Sequence, residues 1–239
     1  KSATFSPDGR WIVTASHDKN VRVWNALTRE AVSPSMEHTG EVRAAVLSPD
    51  SKWLLTGSED KTARLWDPAT GKMLLDPLHH DSAVNIVDFT PADVWAERKW
   101  ILTVADSVAR IWDATTGKAI TEPLKHDGPI RTAQFGPQGN LLVTASGNKV
   151  QIWETSSGRL VTEPLIHEKE VRSVAFSPDG NFVVTTSADQ AARIWLATLR
   201  GKAPAWFSEL ADAVGGYKLG NHGAAEVFSD SWNDFMAIR

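Results

Sequence analysis

Between positions 167 and 195 the apolar residues fall at a period of two, in three short runs: Val171, Val174 and Phe176, then 182–185, then 192–195. Alternation over runs this short predicts half-buried β-strands. The segments between them are turn formers. SPDG (177–180) joins a proline that presets φ to a glycine that accepts positive φ, and SADQ (187–190) offers an aspartate that can bond its own backbone. The pattern recurs upstream as FSPDG (5–9), LSPDS (47–51), FTPAD (89–93) and FGPQG (135–139), each followed by a strand ending in tryptophan. Those tryptophans are Trp24, Trp66, Trp112, Trp153 and Trp195, at steps of 42, 46, 41 and 42 by subtraction. Each repeat adds a fourth, outermost strand, expected at 31–36, 73–78, 119–124 and 160–165, whereas no such strand is evident after Trp195. The third repeat carries five extra residues between Phe89 and Trp100, predicting an enlarged loop whose Trp95 is either pinned to the body or offered to a partner.

A four-stranded repeat of roughly 40 to 45 residues marks a propeller blade, and turn, tryptophan and period together resemble the WD40 β-propeller family over residues 1–195. The resemblance implies an all-β fold with five blades in this chain, within a ring of seven, the alternative being a closed ring of five. The remaining blades would come from the same parent protein or another chain, and the upstream end would supply the last blade's outer strand. Blades are expected over 1–200. A helical tail or linker is expected over 201–239, where Trp206, Phe207, Leu210 and Val214 share one helical side ahead of Gly215. The tail is similar to linkers of bacterial multidomain proteins. The missing initiator Met and the opening inside a strand match a fragment of one.

Composition narrows the partners. With 25 basic and 29 acidic residues among 239, a net charge of -4 gives no overall bias toward nucleic acid or an anionic membrane. The absence of cysteine excludes disulfides, thiolate chemistry and Cys-based zinc sites, and no apolar run has the length of a signal or spanning segment. The expectation is a cytoplasmic protein that binds a protein or peptide, with no nucleic acid, membrane, metal or cofactor partner.

The histidines are the obvious candidate chemistry. His38, His80, His126 and His167 each stand nine residues before the next inner-strand Leu47, Phe89, Phe135 or Phe176, so they follow the repeat rather than one pocket. The family resemblance implies a structural role: the His bonds a turn Asp and a middle-strand Ser or Thr that accepts from the Trp indole. By position the sets are His38, Thr56, Asp60 and Trp66; His80, Thr103, Asp106 and Trp112; and His167, Thr185, Asp189 and Trp195. The first repeat keeps Thr14, Asp18 and Trp24. The fourth has Gly147 where Asp is expected, leaving His126 to water or Asn148. His79, His80 and Asp81 could suggest a metal, but His80 is committed to its network.

The resemblance also implies that partners touch the residues three and five after each His and the residue before the turn Asp. The candidate partner-binding set is Lys1, His17, Arg43, Glu59, Asn85, Arg131 and Arg172. Cations at Lys1, Arg43, Arg131 and Arg172 favour an acidic peptide, unless Glu41, Glu59 and Glu170 neutralise them. The TGK at 70–72 and 116–118 is similar to the repeats of quinone-dependent dehydrogenases, yet there the tryptophan follows, and here it precedes. With no nucleophile elbow, HExxH or phosphate loop, the expectation is a non-catalytic interaction scaffold within a larger bacterial protein. The alternative is a propeller enzyme or small-ligand sensor using the central channel.

Overall fold

The computed structural model describes residues 2–197 and, beyond them, two strands at 218–219 and 225–227. The chain divides into two compact units, Lys1–Ile130 with Thr155–Gly158, and Arg131–Glu154 with Arg159–Arg239.

In the first unit each repeat becomes one antiparallel sheet with its strands in chain order. Sheet 1 comprises β1 (Ser2–Phe5), β2 (Trp11–Ala15), β3 (Asn20–Asn25) and β4 (Met36–Glu37); sheet 2 comprises β5 (Val42–Leu47), β6 (Leu54–Ser58), β7 (Thr62–Trp66) and β8 (Leu78–His79). Sheet 3 comprises β9 (Val84–Phe89), β10 (Trp100–Ala105), β11 (Val108–Asp113) and β12 (Leu124–Lys125), with one short helix, α1 (Ala92–Trp95), between β9 and β10. In the second unit, sheet 4 runs β13 (Ile130–Phe135), β14 (Leu141–Ser146), β15 (Lys149–Glu154) and β16 (Leu165–Ile166). Sheet 5 begins β17 (Val171–Phe176), β18 (Phe182–Ser187) and β19 (Ala192–Leu196).

The SPDG turns close as their chemistry dictates. Ser48 Oγ donates to Asp50 at 2.6 Å and accepts the Trp53 N–H at 2.9 Å, and Ser6 does the same with Asp8 and Trp11. TGK occupies the hairpin before the outer strand, where Gly71 takes φ +71 and its N–H returns to the Asp67 carbonyl at 2.8 Å. The outer strands are broken: a single bridge, such as Trp66 to Met73 or Trp112 to Ala119, precedes a two-residue strand. Pro34, Pro77, Pro123 and Pro164 stand in the gap, and proline, which cannot donate to a ladder, is tolerated on an edge.

The core lies between sheets. Val13, Val21 and Met36 of sheet 1 meet Val42, Leu54 and Trp66 of sheet 2. Leu55 and Leu65 of sheet 2 meet Val84, Phe89 and Ile101 of sheet 3. In the second unit Val143, Val150 and Ile152 meet Val171, Val174 and Trp195. Middle strands are covered on both faces, so β6 and β14 are buried at every residue.

Two differences from the sequence expectation stand out. The outer edge of β19, expected to find no partner within this chain, is paired antiparallel with β21 (Ala225–Val227), itself paired with β20 (Lys218–Leu219). An open edge presents unpaired N–H and C=O groups, and a distant short segment of the same chain satisfies them. The helical tail expected over 201–239 otherwise falls outside the described residues. The enlarged loop of sheet 3 also has a defined role. After Pro91, α1 turns Trp95 inward to 3% exposure, edge-on to Trp53 at 5.5 Å and to Phe89 at 5.0 Å between centroids. The insertion therefore fastens sheet 3 to sheet 2.

Candidate functional site

Middle strands carry one polar residue at a fixed place, and it always has the same donor. Thr14, Thr56, Thr103, Thr144 and Thr185 accept the indole N–H of Trp24, Trp66, Trp112, Trp153 and Trp195 at 2.9, 2.9, 2.7, 2.8 and 2.8 Å. Burying a hydroxyl in these strands costs little because it is bonded.

What surrounds that pair depends on turn length. The β6–β7 turn has three residues, Glu59, Asp60 and Lys61, the last at φ +64. This geometry turns Asp60 back under the sheet, its side chain only 4% exposed. There it accepts from His38 Nδ1 at 2.9 Å, the Thr39 N–H at 3.0 Å and Thr62 Oγ1 at 2.6 Å, while Arg64 lies at 3.3 Å. His38 Nε2 reaches Thr56 Oγ1 at 2.7 Å. Burial alone would raise the Asp60 pKa, but Thr62, Thr39 and His38 hold it far below the usual carboxylate range. Sheet 5 repeats the arrangement: Asp189 meets His167 Nδ1 and the Glu168 N–H at 3.1 Å each, and His167 Nε2 meets Thr185 at 2.6 Å. In sheet 1 the turn is of the same kind, with Lys19 at φ +70, but the sequence holds no histidine ahead of it to match His38, and Asp18 stays at the surface with Asn20 and Arg22.

Sheet 3 requires a correction. The β10–β11 turn has two residues, Asp106 and Ser107, with Asp106 at φ +54. Asp106 thus occupies the place of Gly147 at φ +55 in sheet 4, not that of Asp60. It is exposed, and among the described residues its carboxylate has no hydrogen-bond partner, so Asp106 does not join His80, Thr103 and Trp112. His80 keeps its edge contact with Trp112 at 5.7 Å. In sheet 4 the Asn148 amide donates to the His167 carbonyl at 2.8 Å, so it is not the partner expected for His126.

Burial lowers the pKa of His38, His80 and His126, and brings His80 down to about 4. Because the folded value lies below the unfolded one, stability is full above about pH 6.5 and is lost as pH falls through the folded value; His80 alone accounts for about 3 kcal/mol. We expect imidazole NMR titration to show His80 neutral at pH 5 and unfolding free energy to decline from pH 6.5 to 4. Titration of His80 at its ordinary value would contradict its burial.

The candidate partner-binding residues lie at the starts of the innermost strands, where the structure adds a feature that composition does not reveal. Register slips between Val42 and Ala44, between Val84 and Ile86, and between Val171 and Ser173. Arg43, Asn85 and Arg172 are therefore the unpaired residues of β-bulges, which re-aim a side chain out of the ladder. Arg43 is paired with Glu59, and His17 Nδ1 meets Glu41 at 2.6 Å, so sheet 1 is linked to sheet 2. In the second unit Arg131 Nε meets Glu170 at 3.0 Å, linking sheet 4 to sheet 5. Arg172 is exposed and has no charged partner among the described residues. Lys1 lies outside the described residues. The cations are thus partly neutralised, with Arg172 the exception. The arginines nearest the tryptophans serve packing: Arg64 and Arg110 lie over Trp66 and Trp112 at 6.0 and 5.8 Å.

The family model for the WD domain, G-beta repeat, matches residues 1–25, 33–67, 117–154 and 158–195. The chain belongs to the WD40-repeat family. The four matches leave out 68–116, the stretch that holds α1 and the two-residue turn of sheet 3. A curated relative, the Notchless protein homolog of Arabidopsis thaliana, is 53% identical over 36 residues, 15% of this chain and 8% of that protein. Being a plant protein, it lends no support to the bacterial origin expected from the tail. A computationally designed protein, Ika8, superposes with a TM-score of 0.70 at 23% identity, covering 81% of this chain and 57% of that one, which shows the propeller fold alone. WD40 domains are in general protein-interaction scaffolds, and they generally bind proteins or peptides. No helix among the described residues is long and apolar enough to cross a membrane, and no group of three or more His, Cys, Asp or Glu there could hold a metal.

Proposed function

We propose that this WD40 domain is a non-catalytic scaffold that recognises a partner protein through the bulged residues opening its innermost strands, and that Arg172 binds an acidic side chain of that partner. The bulges carry the reading. The same position is unpaired in sheets 2, 3 and 5, while its residue changes from Arg43 to Asn85 to Arg172. A fixed backbone device with a varied side chain suits recognition more than packing. The histidines do not compete for this role, because His38 and His167 are consumed by hydrogen bonds inside their sheets. A guanidinium without a counterion can take a carboxylate bidentately.

The test is an array of immobilised acidic and basic peptides probed with wild type and Arg172→Glu. Acidic ligands should be retained by wild type and weakened about tenfold or more by the reversal, since a like charge then faces the ligand. Equal retention by both proteins would remove Arg172 from the interface. Exclusive retention of basic peptides would overturn the acidic partner.

A further inference from the structure

We propose that sheet 3 contains a binding site for a small monocarboxylate, of formate or acetate size, in the place of the aspartate that its shortened turn leaves out. Sheets 2 and 5 show what that place demands. Asp60 Oδ2 receives His38 Nδ1 at 2.9 Å, the Thr39 N–H at 3.0 Å and Arg64 Nη2 at 3.3 Å. Asp189 Oδ2 receives His167 Nδ1 at 3.1 Å, the Glu168 N–H at 3.1 Å and Arg193 Nη1 at 3.0 Å. One carboxylate oxygen is met by an imidazole, the next residue's amide and an arginine two before the tryptophan.

Sheet 3 retains all three donors, as His80, the Asp81 N–H and Arg110, and lacks the acceptor. His80 is only 9% exposed, and among the described residues its buried Nε2, the nitrogen that meets threonine in sheets 2 and 5, has no hydrogen-bond partner, nor does Nδ1, the nitrogen that meets the aspartate there. The Asp81 N–H is also without an acceptor there. Stacking over Trp112 at 5.8 Å holds the guanidinium in position. Between these groups lies a cavity of about 150 Å³, lined by His80, Asp81, Ser82, Asp106, Ser107 and Arg110 among others. This volume accommodates formate or acetate, and the planar arginine fork matches a carboxylate.

The charge balance selects the ligand class. The Asp81 and Asp106 side chains are exposed, so solvent weakens their repulsion of an anion at the buried floor. That repulsion grows with ligand charge and therefore disfavours sulfate or phosphate relative to a monocarboxylate. Sheet 4 has no equivalent site because Gln151 stands where the arginine would be.

The experiment is a sodium acetate titration of the full chain at constant ionic strength, balanced with chloride and followed by the imidazole ¹⁵N shifts of His80 and the Asp81 amide. We expect saturable shifts with one shared midpoint, and none at His38 or His167, whose carboxylate places are taken. Arg110→Gln should weaken binding about tenfold or more. Replacing Asp106-Ser107 by the three-residue Glu-Asp-Lys turn of sheet 2 should abolish binding, because the grafted aspartate fills the cradle. Non-saturating shifts would overturn the site, as would acetate binding that survives the graft unchanged, and the graft decides the matter even if Arg110→Gln does not fold. Sulfate binding as tightly as acetate would overturn the ligand class.

Discussion

Asp60→Asn should destabilise the protein by about 3 kcal/mol, and Asp106→Asn, the same change one repeat later, by less than about 0.5 kcal/mol. The difference rests on what surrounds each carboxylate. Asp60 is the shared acceptor of His38, Thr39, Thr62 and Arg64, and its side chain is 4% exposed. An amide there turns an acceptor into a donor facing donors, and leaves Arg64 without its counterion. Asp106 is exposed at φ +54, a conformation that asparagine also tolerates, so its replacement disturbs neither contacts nor backbone. Urea denaturation of the two variants beside wild type measures both effects. A similar loss for both would mean that Asp106 does enter a network.

Trp95→Ala should be more damaging still, at about 3–5 kcal/mol. Its ring is the only one contributed by the inserted segment, and it fills the seam between Trp53 of sheet 2 and Phe89 of sheet 3. Truncation leaves a cavity that neither ring can close without moving its strand. Were the insertion a tolerated surface change, the loss would stay below about 1 kcal/mol. Denaturation followed by circular dichroism decides between the two, without relying on the fluorescence of the other tryptophans.

Much of the fold was legible because it rests on short-range chemistry. Ser48-Pro49-Asp50 closes its own turn, and alternation sets which residues of β3 or β15 face inward. Histidine spacing likewise distributed His38, His80, His126 and His167 over the repeats. The misplacement of Asp106 has a physical origin: matching letters aligns it with Asp60, but the backbone aligns it with Gly147, because one residue fewer in the turn moves the positive-φ position onto it. The shorter turn itself is visible in the sequence, where Thr103 to Trp112 spans nine positions against ten from Thr56 to Trp66, and suggests a strained network; the move of Asp106 out of that network is not visible there. The bulges at Arg43, Asn85 and Arg172 leave no mark in composition, since an unpaired residue can be of any type. The pairing of β21 with β19 is also hidden, because it joins three residues to an edge some thirty positions upstream.

The most direct measurement is a pair of double-mutant cycles, one on His38→Ala with Asp60→Asn and one on His80→Ala with Asp106→Asn. The structure predicts a coupling of about 1–3 kcal/mol in sheet 2 and none resolvable in sheet 3. Comparable couplings in both sheets, or none in sheet 2, would contradict the dependence of these networks on turn length.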